Sequence, residues 1–292
     1  MLSNLIFSKV SISKCFLNYF KKHTNAPIND NSFNLYALSL YQDNKQGTLK
    51  FIAANFNSNQ HDDSSFSLEG FEYEPRKHCL VHTNTYAWNL GEICDLVVAE
   101  DNGRFIYLSQ CESRLSHHDF SFKLEFKRGQ IYLLDTLDKH VYTVARNLFM
   151  PKSLAYIKVE RVLVVSNLAR NGISLYKREF DNSLTWLRDI DFNAFVFNIF
   201  IDIEANIWLS MHTSLHETLS LNTKETTSTF TSSQLVRVKL DCRYSQYVDY
   251  EVSEIFTTNG HRVVNALSAS LVHKNSYILF SLLSEPSVCS FL

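Results

Sequence analysis

Glycine and proline are scarce in this chain, with 7 and 4 residues among 292. That excludes collagen-like and flexible-linker compositions, and it obliges Asn, Asp and Lys to supply most of the turns. Neither sign of charge dominates: 28 Lys and Arg face 30 Asp and Glu, for a net charge of -2 with no long block of one sign. Nothing there favours nucleic acid or another polyanion. No apolar run is long and clean enough to read as a transmembrane segment. Residues 1–20 are apolar only in patches, broken by Lys9, Ser11, Ser13, Lys14 and Asn18, and they lack the unbroken apolar core and small-residue cleavage site of a signal peptide. There is no Asn-x-Ser/Thr glycosylation acceptor. The six cysteines (Cys15, Cys79, Cys94, Cys111, Cys242, Cys289) form no CxxC pair and no zinc spacing, and their scatter reads as buried thiols. No GxSxG elbow, HExxH pair or Walker loop is present, so those mechanisms have no foothold. No long segment keeps a 3.6-residue apolar period between caps.

What the chain does have is rings and strands. Its 22 Phe and 14 Tyr suit half-buried strands. One two-strand phrase recurs: an alternating apolar segment, a short polar turn, then a denser apolar strand ending in a small or polar residue. It appears at Leu35–Asn55, Cys94–Ser109, Ser153–Asn167, Asn198–Ser210 and Asn265–Leu282. Alternation puts one face of each first strand into a core, and the denser second strand reads as buried on both faces. Further strand-like runs lie between the phrases, at Gln130–Asp135, Val141–Ala145, Ile173–Lys177, Leu184–Ile190, Leu235–Leu240 and Tyr250–Phe256. A phrase with its outer strands makes a four-stranded sheet. Such sheets at intervals of a few dozen residues predict an all-β chain folded as a β-propeller. A β-sandwich also has many short strands, but it offers no reason for the phrase to return. Asn57–Ser67 and Thr218–Gln234 read as surface loops, and Asp43–Asn44 and Glu100–Gly103 as turns within sheets.

Polar clusters invite a metal reading that the geometry of strands resists. His117 and His118 are adjacent, so on a strand they point to opposite faces and do not chelate one ion. With Asp119 they read as a solvated loop, as do His61, Asp62 and Asp63.

The phrases resemble, in order and spacing, those of the paraoxonase/arylesterase family, six-bladed calcium-dependent hydrolases of aryl esters and lactones. The likeness runs from about Ser32 to Leu292. It is clearest in GQIYLLDTLDKHVYTVARNLFMPKSLAYIKVERVLVVSN, in the following segment from Asn171 to His212, with its Asp191–Asn193 run and Trp208 strand, and in the closing segment that ends near Cys289. The resemblance implies a six-bladed propeller with its first blade missing or abbreviated, and so five recognisable blade units. Residues 1–31 are then an irregular N-terminal segment or remnant blade, and 32–292 the propeller domain. A blade missing from a closed ring would leave strand edges unpaired.

Read residue by residue, the resemblance places calcium-ligand positions of the family on Cys94, Lys152, Phe197 and Asn198, and a ligand of the family's buried structural calcium on Asp95. Only Asp95 and Asn198 keep oxygen donors, and calcium takes six to eight oxygens. The family's catalytic histidine pair falls on Tyr36 and Phe56. A tyrosine is a poor base at neutral pH and a phenylalanine moves no proton. His212, near the family's tunnel mouth, is the remaining candidate base or wall residue. Cys15 and Cys289, near the two chain ends, are a candidate disulfide. The expected function is thus a paraoxonase-like hydrolase whose calcium-dependent activity is lost or weak. The rival reading is a non-catalytic propeller binding a small apolar ligand or a protein partner. The family points to the secretory pathway; the sequence itself leaves compartment and oligomeric state open.

Overall fold

The computed structural model describes residues 35–44, 46–57, 65–100, 102–111, 129–213, 232–244, 247–258, 267–273, 276–281 and 287–290. The described residues divide into two compact units, one within 12–154 and one within 155–292.

The described chain is built from antiparallel sheets, each a meander of consecutive strands. Blade A comprises β1 (Leu35–Asp43), β2 (Thr48–Asn57), β3 (Ser65–Glu74) and β4 (Cys79–Leu90), in that order across the sheet. Blade B follows with β5 (Ile93–Val98), β6 (Phe105–Gln110), β7 (Gly129–Asp135) and β8 (His140–Leu148). Blade C holds β9 (Pro151–Ile157), β10 (Val162–Asn167), β11 (Gly172–Arg178) and β12 (Leu184–Asp191). Blade D holds β13 (Phe195–Ile201), β14 (Ile207–His212), β15 (Ser233–Tyr244) and β16 (Tyr247–Thr258). Blade E contributes β17 (Leu267–His273), β18 (Ser276–Ser281) and β19 (Ser287–Ser290). Five successive blade sheets of this kind are a β-propeller.

Each recurring phrase of the sequence is the first hairpin of a blade. The dense second strands are buried as their composition requires: all of VLVVSN in β10 and all of IWLSMH in β14 are buried. The outermost strands β8 and β12 are mostly exposed or half-buried instead. In the unit 12–154 the main core is Ile52, Leu68, Ile93, Leu96, Ile106, Leu108 and Leu134 with their neighbours. In the unit 155–292 it is Val162, Val164, Ile173, Leu175, Val196, Ile199, Ile207, Leu209 and Val238 with theirs. Full burial of each such side chain contributes roughly 1.5–3 kcal/mol. Two loop expectations are corrected, one in blade A and one in blade D. Asn57 ends β2 and Ser65–Ser67 open β3, so the expected loop at Asn57–Ser67 is shorter; at the second expected loop, Ser233 and Gln234 already belong to β15.

The shortage of glycine is met in an unexpected way. Besides Gly47 and Gly103, the left-handed region holds His78, Lys139, Asn147, Met150, Arg161, Asn171, Asn182 and Ala205. Asn and Lys were expected there; His, Met, Arg and Ala accept a conformation that costs an L-residue roughly 1–2 kcal/mol. Gly103 has less choice. Its φ is +70°, and a Cβ there would overlap the phenol of Tyr41, whose burial pushes its proton affinity far above the usual tyrosine range. Beside it, Arg104 grips Asp135 at the end of β7, with Nε 3.1 Å from each carboxylate oxygen and a terminal nitrogen 2.8 Å from Oδ2. That guanidinium, against the opposing effect of burial, holds the Asp135 carboxyl below the usual carboxylate range, helped by the Leu137 amide 3.0 Å away.

Candidate functional site

One irregularity recurs at the start of the blades and organises the candidate residues. In blade A, Leu35 pairs with Asn55 and Ala37 with Ala54, so Tyr36 is an extra residue outside the ladder. In blade B, Ile93 pairs with Gln110 and Asp95 with Ser109, which leaves Cys94 out. In blade D, Val196 pairs with Met211 and Asn198 with Ser210, which leaves Phe197 out. Blade E repeats the shift between Leu267 and Ala269. Each is a β-bulge, where two residues oppose one and a side chain is re-aimed. Tyr36, Cys94 and Phe197, singled out separately in the sequence, are therefore the same position of three different blades. The residue after each is equivalent too, so Ala37, Asp95 and Asn198 correspond. So do Phe56, Cys111 and His212, at or just beyond the ends of the second strands.

In all three blades the bulged side chain turns back on its own sheet. Tyr36 sits edge-on to Phe66 at 5.2 Å between ring centroids, and Phe56 lies 5.1 Å from the same ring. Cys94 is joined to Cys111 by a disulfide, with Cα atoms 5.9 Å apart. Phe197 meets the ring of His212 edge-on at 4.7 Å. An aromatic cluster, a covalent bridge and an aromatic–histidine contact thus fill one structural position.

The remaining candidates are placed as follows. Asp95 is buried, with Oδ1 2.8 Å from the amide of Leu96. Its Oδ2 accepts hydrogen bonds from the Ser153 hydroxyl at 3.0 Å and the Leu154 amide at 2.7 Å. The carboxylate therefore fastens β5 to the start of β9. Lys152, beside that contact, carries its ammonium 5.6 Å above the ring of Tyr36, which is itself 43% exposed. Asn198 is half-buried on β13. His212 is fully buried, with Nδ1 3.3 Å from the hydroxyl of Ser233 on the neighbouring strand. A solvent-borne substrate does not reach its ring in this arrangement. Cys15, His61–Asp63 and His117–Asp119 lie outside the described residues; Cys289 stands opposite Tyr277 in the closing strand pair.

Two features escaped the sequence. The Cys94–Cys111 bridge spans the inner hairpin of blade B, so these two are not the buried free thiols expected, whereas Cys79 is one. In blade A the buried carboxylate of Glu69 accepts from Thr85 Oγ1 at 2.6 Å and lies 2.9 Å from Nε2 of His82. That pairing satisfies a buried acid on the outer strands β3 and β4, away from the bulge.

A sequence profile described as Arylesterase matches residues 23–284. The chain belongs to the arylesterase family. No curated protein matches this arylesterase-family chain in sequence. Among solved structures it resembles a functionally unknown protein from Desulfotomaculum acetoxidans, with TM-score 0.51 at 10% identity, covering 88% of this chain and 68% of the other. A protein from Lactobacillus plantarum gives TM-score 0.50 at 9% identity, over 89% of this chain and 81% of that one. The periplasmic gluconolactonase of Pseudomonas aeruginosa gives 0.51 at 10% identity, over 86% of this chain and 65% of its own length. At such identities the likeness is one of fold.

The family is in general calcium-dependent, and the residues present here do not fit that ion. A hard cation needs several oxygens free to converge on it. Cys94 offers a bridged sulfur, Phe197 a ring packed on His212, and Lys152 a positive charge. Asp95 has oxygens, yet both already accept hydrogen bonds from the chain. Among the described residues, the one metal-capable cluster is of another kind, with two sulfurs and the carboxylate of Glu92.

Proposed function

We propose that this member of the arylesterase family has lost calcium-dependent hydrolysis of aryl esters and lactones, or keeps it only weakly, and retains recognition of small ligands of that class. The observation that carries this reading is the bulge position. In blades A, B and D it is closed by a partner within the blade, so none of Tyr36, Cys94 and Phe197 brings a carboxylate or amide oxygen to an ion there. Without the metal's Lewis acidity the scissile carbonyl is not polarised, and a buried His212 paired with Ser233 is not poised to activate water.

What is left suits binding. Tyr36 exposes part of its ring, and Lys152 stands over it. A half-exposed ring beside an ammonium accepts an aryl group by stacking and an ester or carboxylate oxygen by charge-assisted hydrogen bonding. The disulfide favours an oxidising compartment, in keeping with the periplasmic setting of the gluconolactonase it resembles in fold.

The test is turnover of phenyl acetate and a simple lactone with calcium and with chelator, alongside thermal melting in both. The reading expects chelator-insensitive, negligible turnover and one melting temperature. It also expects phenyl acetate to bind, weakened by Tyr36→Ala. Chelator-sensitive hydrolysis together with a calcium-raised melting temperature would refute it.

A further inference from the structure

Three metal-binding side chains converge at the start of β5. The ligand atoms of Glu92, Cys94 and Cys111 all lie within 4.8 Å of one another. Two of them are the bridged sulfurs, both buried, and the third is a half-buried carboxylate just ahead of the strand. The frame is firm. Cys94 occupies the bulge, Cys111 follows the Ile93–Gln110 pair, and Gln110 is itself held by the Tyr132 hydroxyl at 2.6 Å.

In the disulfide the sulfurs are neutral and poor ligands; the thiolate is the binding form. Reduction of the bond changes the donor set. A dithiol reductant gives two electrons and two protons to the Cys94–Cys111 bond, leaving two thiols here and a disulfide on the reductant. Two thiolates and one carboxylate are then a donor set for a borderline-soft ion and not for calcium. Three protein ligands with a fourth position for water are also the pattern of an open zinc site.

We propose that the reduced chain binds one thiophilic divalent cation, of the zinc class, through Glu92, Cys94 and Cys111, and that formation of the disulfide expels it. On binding, the two thiols release their protons to solvent. On oxidation, the two thiolates give two electrons to a disulfide oxidant, which takes up two protons from solvent and leaves as a dithiol, and the cation departs. This site is independent of the hydrolytic reading and uses none of its residues except Cys94, which that reading counts as lost.

The experiment uses the full chain, reduced with a phosphine and titrated with Co²⁺ as a coloured substitute for zinc. Expected is one cobalt per chain with a thiolate-to-cobalt charge-transfer band in the reduced protein and none in the oxidised protein. Cys94→Ser and Cys111→Ser remove the band, and Glu92→Gln keeps it with affinity about 10-fold lower or more. If these variants fail to fold, the wild-type chain carries the test alone: Zn²⁺ raises the melting temperature of the reduced form and not of the oxidised one. A reduced chain without the band overturns the proposal. So does a band that survives in the Cys94→Ser/Cys111→Ser double variant, which would place the metal on other cysteines.

Discussion

Replacing Asp95 by alanine removes the acceptor for two donors of β9, the Ser153 hydroxyl and the Leu154 amide, and for the Leu96 amide. Leu154 and Ser153 are buried, so their polar groups are left without water to turn to. Hydrogen bonds to a charged group contribute about 1.5–3 kcal/mol each, so the two reaching β9 put the loss at roughly 3–6 kcal/mol. Asparagine keeps one oxygen. Turned toward Leu154, it preserves the contact with β9 and presents its amide to the Leu96 N–H, for a loss of about 1–2 kcal/mol. Urea denaturation of the three proteins, followed by circular dichroism with calcium and with chelator, measures the ordering. Wild type should be most stable, Asp95→Asn intermediate and Asp95→Ala least, with calcium leaving all three unchanged. Two results would refute the reasoning: variants as stable as wild type, or a chelator that by itself reproduces the alanine loss. The second would mean that the carboxylate holds a metal rather than a strand.

Three further outcomes follow from the same geometry. Reducing the Cys94–Cys111 bond, which closes a loop with a sequence separation of 17, should lower unfolding free energy by about 3 kcal/mol in metal-free buffer. Melting with and without reductant checks it. Gly103→Ala forces alanine into the left-handed region and against Tyr41, and should destabilise by about 2–4 kcal/mol, read from the denaturation midpoint. Asp135→Asn should matter only above the acid range. Because Arg104 lowers the folded-state proton affinity of Asp135, the carboxylate's contribution is complete above the unfolded value near 3.8 and disappears as pH falls through the lower folded value. Wild type and variant should therefore differ in stability at pH 6 and converge in strong acid, as pH-dependent denaturation will record.

The hairpins that open the blades were legible because their second strands carry a signal of their own: the VLVV run of β10 is apolar without interruption up to Ser166, and little but a buried strand suits it. The outer pair of blade A was not. SFSLEGFEYE in β3 is broken by Glu69 and Gly70, and it becomes a buried strand only because His82 and Thr85, on β4, satisfy the acid. That compensation comes from residues 13 and 16 positions away and has no local mark. The individual candidate positions were named through family likeness, and the position that three of them share was not. Tyr36, Cys94 and Phe197 have unlike chemistry, and only the strand register reveals them as one place. The same register bears on the overlooked bridge, since Cys94 is left out of the ladder and its side chain is joined to Cys111, one residue beyond the Ile93–Gln110 pair.

A residue that the ladder passes over has no partner across the rung to match. Tyrosine, cysteine and phenylalanine stand there in turn while the strands on either side keep their pairing. Blades A, B and D thus share one socket whose occupant differs while the neighbouring pairs keep their register. Side chains of unlike chemistry are thereby accommodated on one frame, a ring in two blades and a sulfur in the third.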